Sequence, residues 1–151
     1  MPQSFHMAKK KRPVAKKIAE APTSSCLIFC EDVTISVGKQ LHTLHGVITD
    51  MYIPQLPALT GVGVVYMRLR NVYASQQFSL RFANLDSSEV LFEFGAQSGE
   101  ASDPLGNHVI ILNVPPFIMP CAGRYVFSAV HGDTTFAECV INVIGSDQRE
   151  K

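Results

Sequence analysis

Tryptophan is absent from the 151 residues. Its absence weakens a sugar-stacking platform or an aromatic cage, although Tyr and Phe can substitute. Charge is sparse as well, with 17% of residues ionic against 46% apolar. That balance excludes a chain disordered throughout and fits one globular domain with a sizeable core. Long stretches rich in Glu, Lys, Ala and Leu are missing, so no persuasive helix is expected. The longest apolar run, "VIILNVPPFIM" at 109–119, is too short to span a bilayer and holds two prolines and an asparagine. Gly-x-Ser-x-Gly is missing. "GVGVVY" at 61–66 leads into a β pattern rather than a helix N-terminus, which argues against a phosphate cradle.

The charge that is present is unevenly distributed. Residues 1–24 hold Lys9, Lys10, Lys11, Arg12, Lys16 and Lys17 against Glu20 alone, a net +5. Residues 25–151 hold seven bases against twelve acids, a net −5. A basic arm on an acidic body results. The arm has almost no large apolar side chains to offset the entropy of ordering, so residues 1–24 are expected to be a disordered tail. Ile18–Ser25 is no apolar signal-peptide core, and the expectation is a soluble, cytoplasmic protein without membrane insertion. Met7 opens "MAKKKRPVAKK" and reads as an alternative start.

From Cys26 onward, short alternating stretches are separated by turn residues such as "DSS" at 86–88 and "GD" at 132–133. Phe78, Leu80 and Phe82 should face one way, with Gln77, Ser79 and Arg81 the other. Val90, Phe92 and Phe94 should oppose Glu89 and Glu93. Ala137, Cys139, Ile141 and Val143 should oppose Glu138 and Asn142. One wet and one dry face per strand indicates an all-β fold: a single antiparallel two-sheet sandwich of seven to nine strands over 25–144. A short polar tail, 145–151, follows. The predicted core is Leu27, Phe29, Phe78, Leu80, Phe82, Phe92, Phe94, Tyr125, Phe127, Cys139 and Ile141.

The stretch "AGRYVF" at 122–127 resembles the tyrosine corner of immunoglobulin-like sandwiches, in which a Tyr hydroxyl turns back onto upstream backbone. Cys121 stands where those domains often have Asp, and Phe127 where antibody domains place a cysteine. More widely, "LIFCEDV", "LHGVITD" and "AGRYVFSAVHGDTTFAECVINV" resemble a family of small bacterial β-sandwich proteins that share a domain of unknown function. The likeness covers roughly residues 26–143. It implies a fold and carries no activity to transfer.

Candidate sites are few. In "SSCLIFCED", Cys26, Ile28 and Cys30 share one face of a strand and Leu27 and Phe29 the other. Zinc would want paired ligands on tight turns, and Cys121 and Cys139 supply no second close pair, so buried free thiols are favoured over metal or a disulfide. His42 and His45 bracket two residues, with His108 and His131 elsewhere; surface positions are favoured over a metal site. No cofactor, metal or catalytic residue is expected. A hairpin across 71–76 that pairs Arg70 with Gln77 would place Tyr66, Arg68, Arg70 and Arg81 on one exposed face, with Tyr66 against Arg81. That face would suit an acidic partner or anion, and arginine stems covering a solvated sheet would look the same.

The expected role is a non-catalytic module for protein interaction or assembly, self-association included. The alternatives are a small-molecule or glycan site on loop 97–107 and charge-driven nucleic-acid binding through the tail lysines alone.

Overall fold

The computed structural model describes residues 22–39, 41–72, 75–99 and 108–146. Eleven strands run through them: β1 Thr23–Ile35, β2 His42–Val47, β3 Asp50–Tyr52, β4 Ala58–Leu59, β5 Gly63–Arg70, β6 Gln77–Asn84, β7 Val90–Gln97, β8 His108–Val114, β9 Ile118–Met119, β10 Gly123–His131 and β11 Thr134–Ile144. The fold is all-β, and no helix among the described residues is long and apolar enough to cross a membrane. The expected count of seven to nine is exceeded because β3, β4 and β9 are only two or three residues long. Runs that short cannot show alternation. Thr23 and Ser24, assigned to the tail by sequence, belong to β1.

One sheet has the order β2-β1-β5-β8 and the other β3-β11-β10-β6-β7, while β4 and β9 pair separately. All pairings are antiparallel but one: β3 lies parallel to β11, with Met51 opposite Val143. The β10–β11 hairpin turns where expected, and Gly132 adopts φ 60° there. A positive φ at the first central residue is what a two-residue hairpin turn asks of glycine.

Alternation sends the apolar side chains of both sheets inward to one core. Val65, Met67 and Leu69 of β5 meet Phe78, Leu80 and Phe82 of β6, Phe127 and Ile141. Phe82 sits at its centre, with the rings of Phe127, Phe117, Tyr125 and Phe92 at 4.5, 5.1, 5.3 and 5.4 Å. Phe29 of the facing sheet reaches Phe127 at 4.8 Å. Gly63 is required by this packing, because a Cβ there would run into the Phe29 ring. Every predicted core residue is in this cluster or packed against it.

Val90 departs from the expected face. The register slips at Leu91, so that Phe92 opposes Phe82 but Val90 opposes Ala83. This bulge turns Val90 outward and lets Leu91 pack on the core. At the other end of the hairpin, the Tyr125 hydroxyl donates to the Cys121 carbonyl at 2.8 Å, which closes the tyrosine corner.

Candidate functional site: the outer faces of the two sheets

The outer face of the four-stranded sheet is built on three strands. Ile28, Tyr66 and Ile111 lie opposite one another across β1, β5 and β8, and Cys26, Arg68 and Val109 form the next row. Tyr66, Arg68 and Arg70 share this face, as alternation requires. Arg81 does not. β5 and β6 belong to different sheets, and Arg70 opposes Thr23 rather than Gln77. The expected hairpin is therefore replaced by a crossover between layers, which sequence alternation cannot distinguish from a tight turn. Arg81 instead opposes Glu93 and pairs with it, its Nε donating to the carboxylate at 3.3 Å.

The partner of Tyr66 is His42, whose Nδ1 is hydrogen-bonded to the phenol at 2.7 Å in an edge-on ring contact. His42 opposes Ile35 and Tyr66 opposes Ile28, seven residues apart on β1. A straight strand would separate them by roughly 23 Å. The β1–β2 hairpin must therefore fold back over the sheet. The bend falls where the register passes over Glu31 and Gly46, and Gly46 takes φ 62°. Val33, His42 and Leu44 form the half-buried underside of this flap. Beneath it Tyr66 is only 7% exposed. Burial raises the Tyr66 phenol, the Cys26 thiol adds to the rise, and the Arg68 guanidinium opposes it. The flap thus closes off Tyr66, while Arg68 on the same face stays half-buried and Arg70 exposed.

The outer face of the five-stranded sheet is ordered in rows, with Ser128, Val126 and Ala83 on the central strands only 8% exposed. Glu138, Ser128, Arg81 and Glu93 stand across β11, β10, β6 and β7. The next row in the same register is Val140, Val126, Ala83 and, past the bulge at Leu91, Val90. Beyond it come Asp50, Asn142 and Arg124, with Asn142 Nδ2 donating to Asp50 at 3.0 Å and Arg124 to Asp86 at 2.8 Å. On the other side of Arg81 and Glu93, a trough of about 600 Å³ has Ser79 and Gly95 as its floor and Gln77 and Gln97 as a wall.

The other candidates are dispersed. His45 points away from His42 and bonds Thr34 at 2.7 Å, His108 reaches the Ser98 carbonyl, and His131 ends β10. Among the described residues, no three of His, Cys, Asp or Glu gather where they could hold a metal. All four cysteines are free; Cys30 is buried, Cys26 and Cys139 are partly buried, and Cys121 is exposed, which corrects its expected burial. Burial pushes the Cys30 and Cys139 thiols above their usual range. Lys9, Lys10, Lys11, Arg12, Lys16 and Lys17 lie outside the described residues, as do positions 100–107 of the loop 97–107.

A family model described as a family of unknown function, DUF6941, matches residues 25–144. The chain belongs to this family. No curated protein matches the chain. The DUF6941 region thus spans both sheets and both outer faces, and it reaches from β1 to the last residue of β11.

Sequence reading places neither of two features of this DUF6941 domain, the His42–Tyr66 bond and the valine row. A signal for the row does exist. Val126, Val140 and Ala83 are apolar residues on the strand face where alternation expects polar ones.

Proposed function

We propose that the chain is a non-catalytic protein-interaction module of immunoglobulin-like build that docks partners on the outer face of its five-stranded sheet. The observation that carries this reading is the row Val140, Val126, Ala83 and Val90, set between two charged rows on the face that no hairpin covers among the described residues. Val140 and Val90, on the outer strands of the row, are 45% and 46% exposed, and Val126 and Ala83 between them are 8% exposed. The immunoglobulin-like description is supported by β1-β5-β8 facing β11-β10-β6-β7 and by the Tyr125 corner. Four unbonded thiols support a reducing, cytoplasmic setting.

A photo-crosslinking residue placed at Val140 in the native host should capture a protein. Capture only from the same residue placed in segment 1–21 or at Leu59 would sink the reading.

The trough favours a second reading, in which the floor Ser79 and Gly95 and the polar wall Gln77 and Gln97 hold a small polar ligand or glycan beside the start of loop 97–107. A glycan screen whose hits are lost on Gly95→Leu would support it. Removing residues 1–21 separates both readings from nucleic-acid binding by the basic arm, because only the latter should vanish.

A further inference from the structure

The turn of the β1–β2 hairpin carries apolar side chains out into water. Val37 is fully exposed there, and Ile35 and Leu41 to either side of it are exposed as well. Residues 33–49 contain no acid, and Lys39 sits in the turn itself. The hairpin leaves the sheet at Cys30, opposite Val64, yet His42 reaches Tyr66 two residues further along β5. It therefore doubles back toward the Arg70 end of β5, with its turn leading.

Charge is sorted along the same axis. Arg68, Arg70 and Lys39 lie toward this end, against Asp133 in the β10–β11 turn. The basic arm enters here too, because Thr23 opposes Arg70 and the Asn71 amide donates to the Thr23 hydroxyl at 2.9 Å. The arm brings a net +5, so Glu100 and Asp103, which precede β8 outside the described residues, leave the balance positive. Glu31, Asp32, Asp50, Asp86 and Glu89 lie toward the opposite end, with Arg124 among them. Leu59 and Ile118, paired across β4 and β9, are a second exposed apolar pair, but they stand at that acidic end.

We propose that the basic end of the molecule binds the surface of an anionic lipid bilayer, the arm and arginines at the phosphate level and Val37 and Leu41 in the acyl boundary. The two features complement each other. A polybasic segment is drawn to anionic lipid by charge, and an apolar anchor beside it supplies the second signal that steady attachment needs. Nucleic acid offers similar phosphates, but its bases stack on aromatic or guanidinium planes, and the turn offers aliphatic side chains instead. Docking by this end also holds the acids of the opposite end more than a screening length from the lipid. The outer face of the five-stranded sheet stays free for a protein.

Co-sedimentation of the full chain with vesicles tests this. Pure phosphatidylcholine should leave the protein in solution. Vesicles with about a third phosphatidylserine should carry it down, less so as salt rises from about 50 to about 500 mM. Val37→Ser combined with Leu41→Ser changes no charge and should weaken binding by about tenfold or more, with a cooperative melt retained. Removing residues 1–21 should weaken it comparably, and Leu59→Ser should leave it unchanged. Because the chain has no tryptophan, Val37→Trp supplies a single reporter whose emission should move to shorter wavelength on the anionic vesicles. Wild-type protein that stays in solution with anionic vesicles overturns the proposal. Binding that survives the double serine variant would be attraction by the arm alone, and it overturns the proposal too. So does binding lost in Leu59→Ser, or an unshifted emission from the vesicle-bound tryptophan variant.

Discussion

Phe82 shows what one residue contributes to this protein. It is fully buried on β6, and its ring meets four aromatic neighbours drawn from β7, β10 and the segment before β9. Phe82→Ala removes those contacts and leaves a cavity that the surrounding strands cannot close. A loss of about 3–5 kcal/mol is expected in urea unfolding. A loss under about 1 kcal/mol would place the ring at the surface. The cysteines offer a second measurement at this scale. The Cys121 thiol is exposed and 3.3 Å from the Tyr125 hydroxyl, whereas Cys30 is buried and its Sγ donates to the Val64 carbonyl at 3.6 Å. Thiol titration of the native protein should modify Cys121 first and Cys30 only on unfolding. Equal rates at the two sites would contradict the burial of Cys30.

The β1–β2 hairpin is the element whose position matters most. Its chemistry is unremarkable for a solvent-facing hairpin, with Asp32, Thr34, Thr43 and His45 outward. Its underside is held down at His42, over a Tyr66 that would otherwise meet solvent. His42→Ala should cost about 1–3 kcal/mol, because a largely buried phenol loses its partner. Tyr66→Phe introduced into that variant should recover part of the loss, since the orphaned hydroxyl is then gone. Simple additivity in this double-mutant cycle would show that the two side chains are uncoupled and the flap not fastened there. The β6–β7 turn is set locally by contrast. Asn84 Oδ1 accepts the backbone N–H groups of Asp86 and Ser87, both at 2.9 Å, and Ser88 takes φ 62°. Side-chain capture of backbone donors is how Asn shapes a turn.

For the whole molecule, both sheets share one core, so they are expected to unfold in one transition. That stability has a defined alkaline limit. Tyr125 is fully buried at the join of β10 with the preceding bend. Burial, with its contact to Cys121, pushes the phenol from its ordinary 10.0 up to about 12. Between those values the unfolded chain releases this proton and the folded one keeps it. The contribution is thus fully present below pH 10 and is lost as pH rises through about 12. Its size is on the order of 2–3 kcal/mol. Denaturation midpoints measured from pH 9 upward should fall, and Tyr125→Phe should flatten that fall while lowering stability at neutral pH. An unchanged slope in Tyr125→Phe would assign the loss to other groups. Tyr66 is raised for the same leading reason and adds in the same direction.

Local sequence determined the strands and most of their faces. Phe78, Leu80 and Phe82 on β6, and Cys139, Ile141 and Val143 on β11, sit inward because side chains on a strand alternate at period two and water selects one phase. The Gly132 turn and the Tyr125 corner were equally legible, since each depends on residues within a few positions of itself. Pairing was decided elsewhere. Whether β5 turns back on β6 or crosses to the opposite sheet depends on which neighbour buries more apolar surface, and alternation is identical in both cases. The same holds for Val90, turned outward by a one-residue bulge, and for His42, which is carried onto Tyr66 by a bend at Gly46. The valine row exists only in the assembled sheet. Its four residues come from four strands, and only the hydrogen-bonded register of those strands brings them into line.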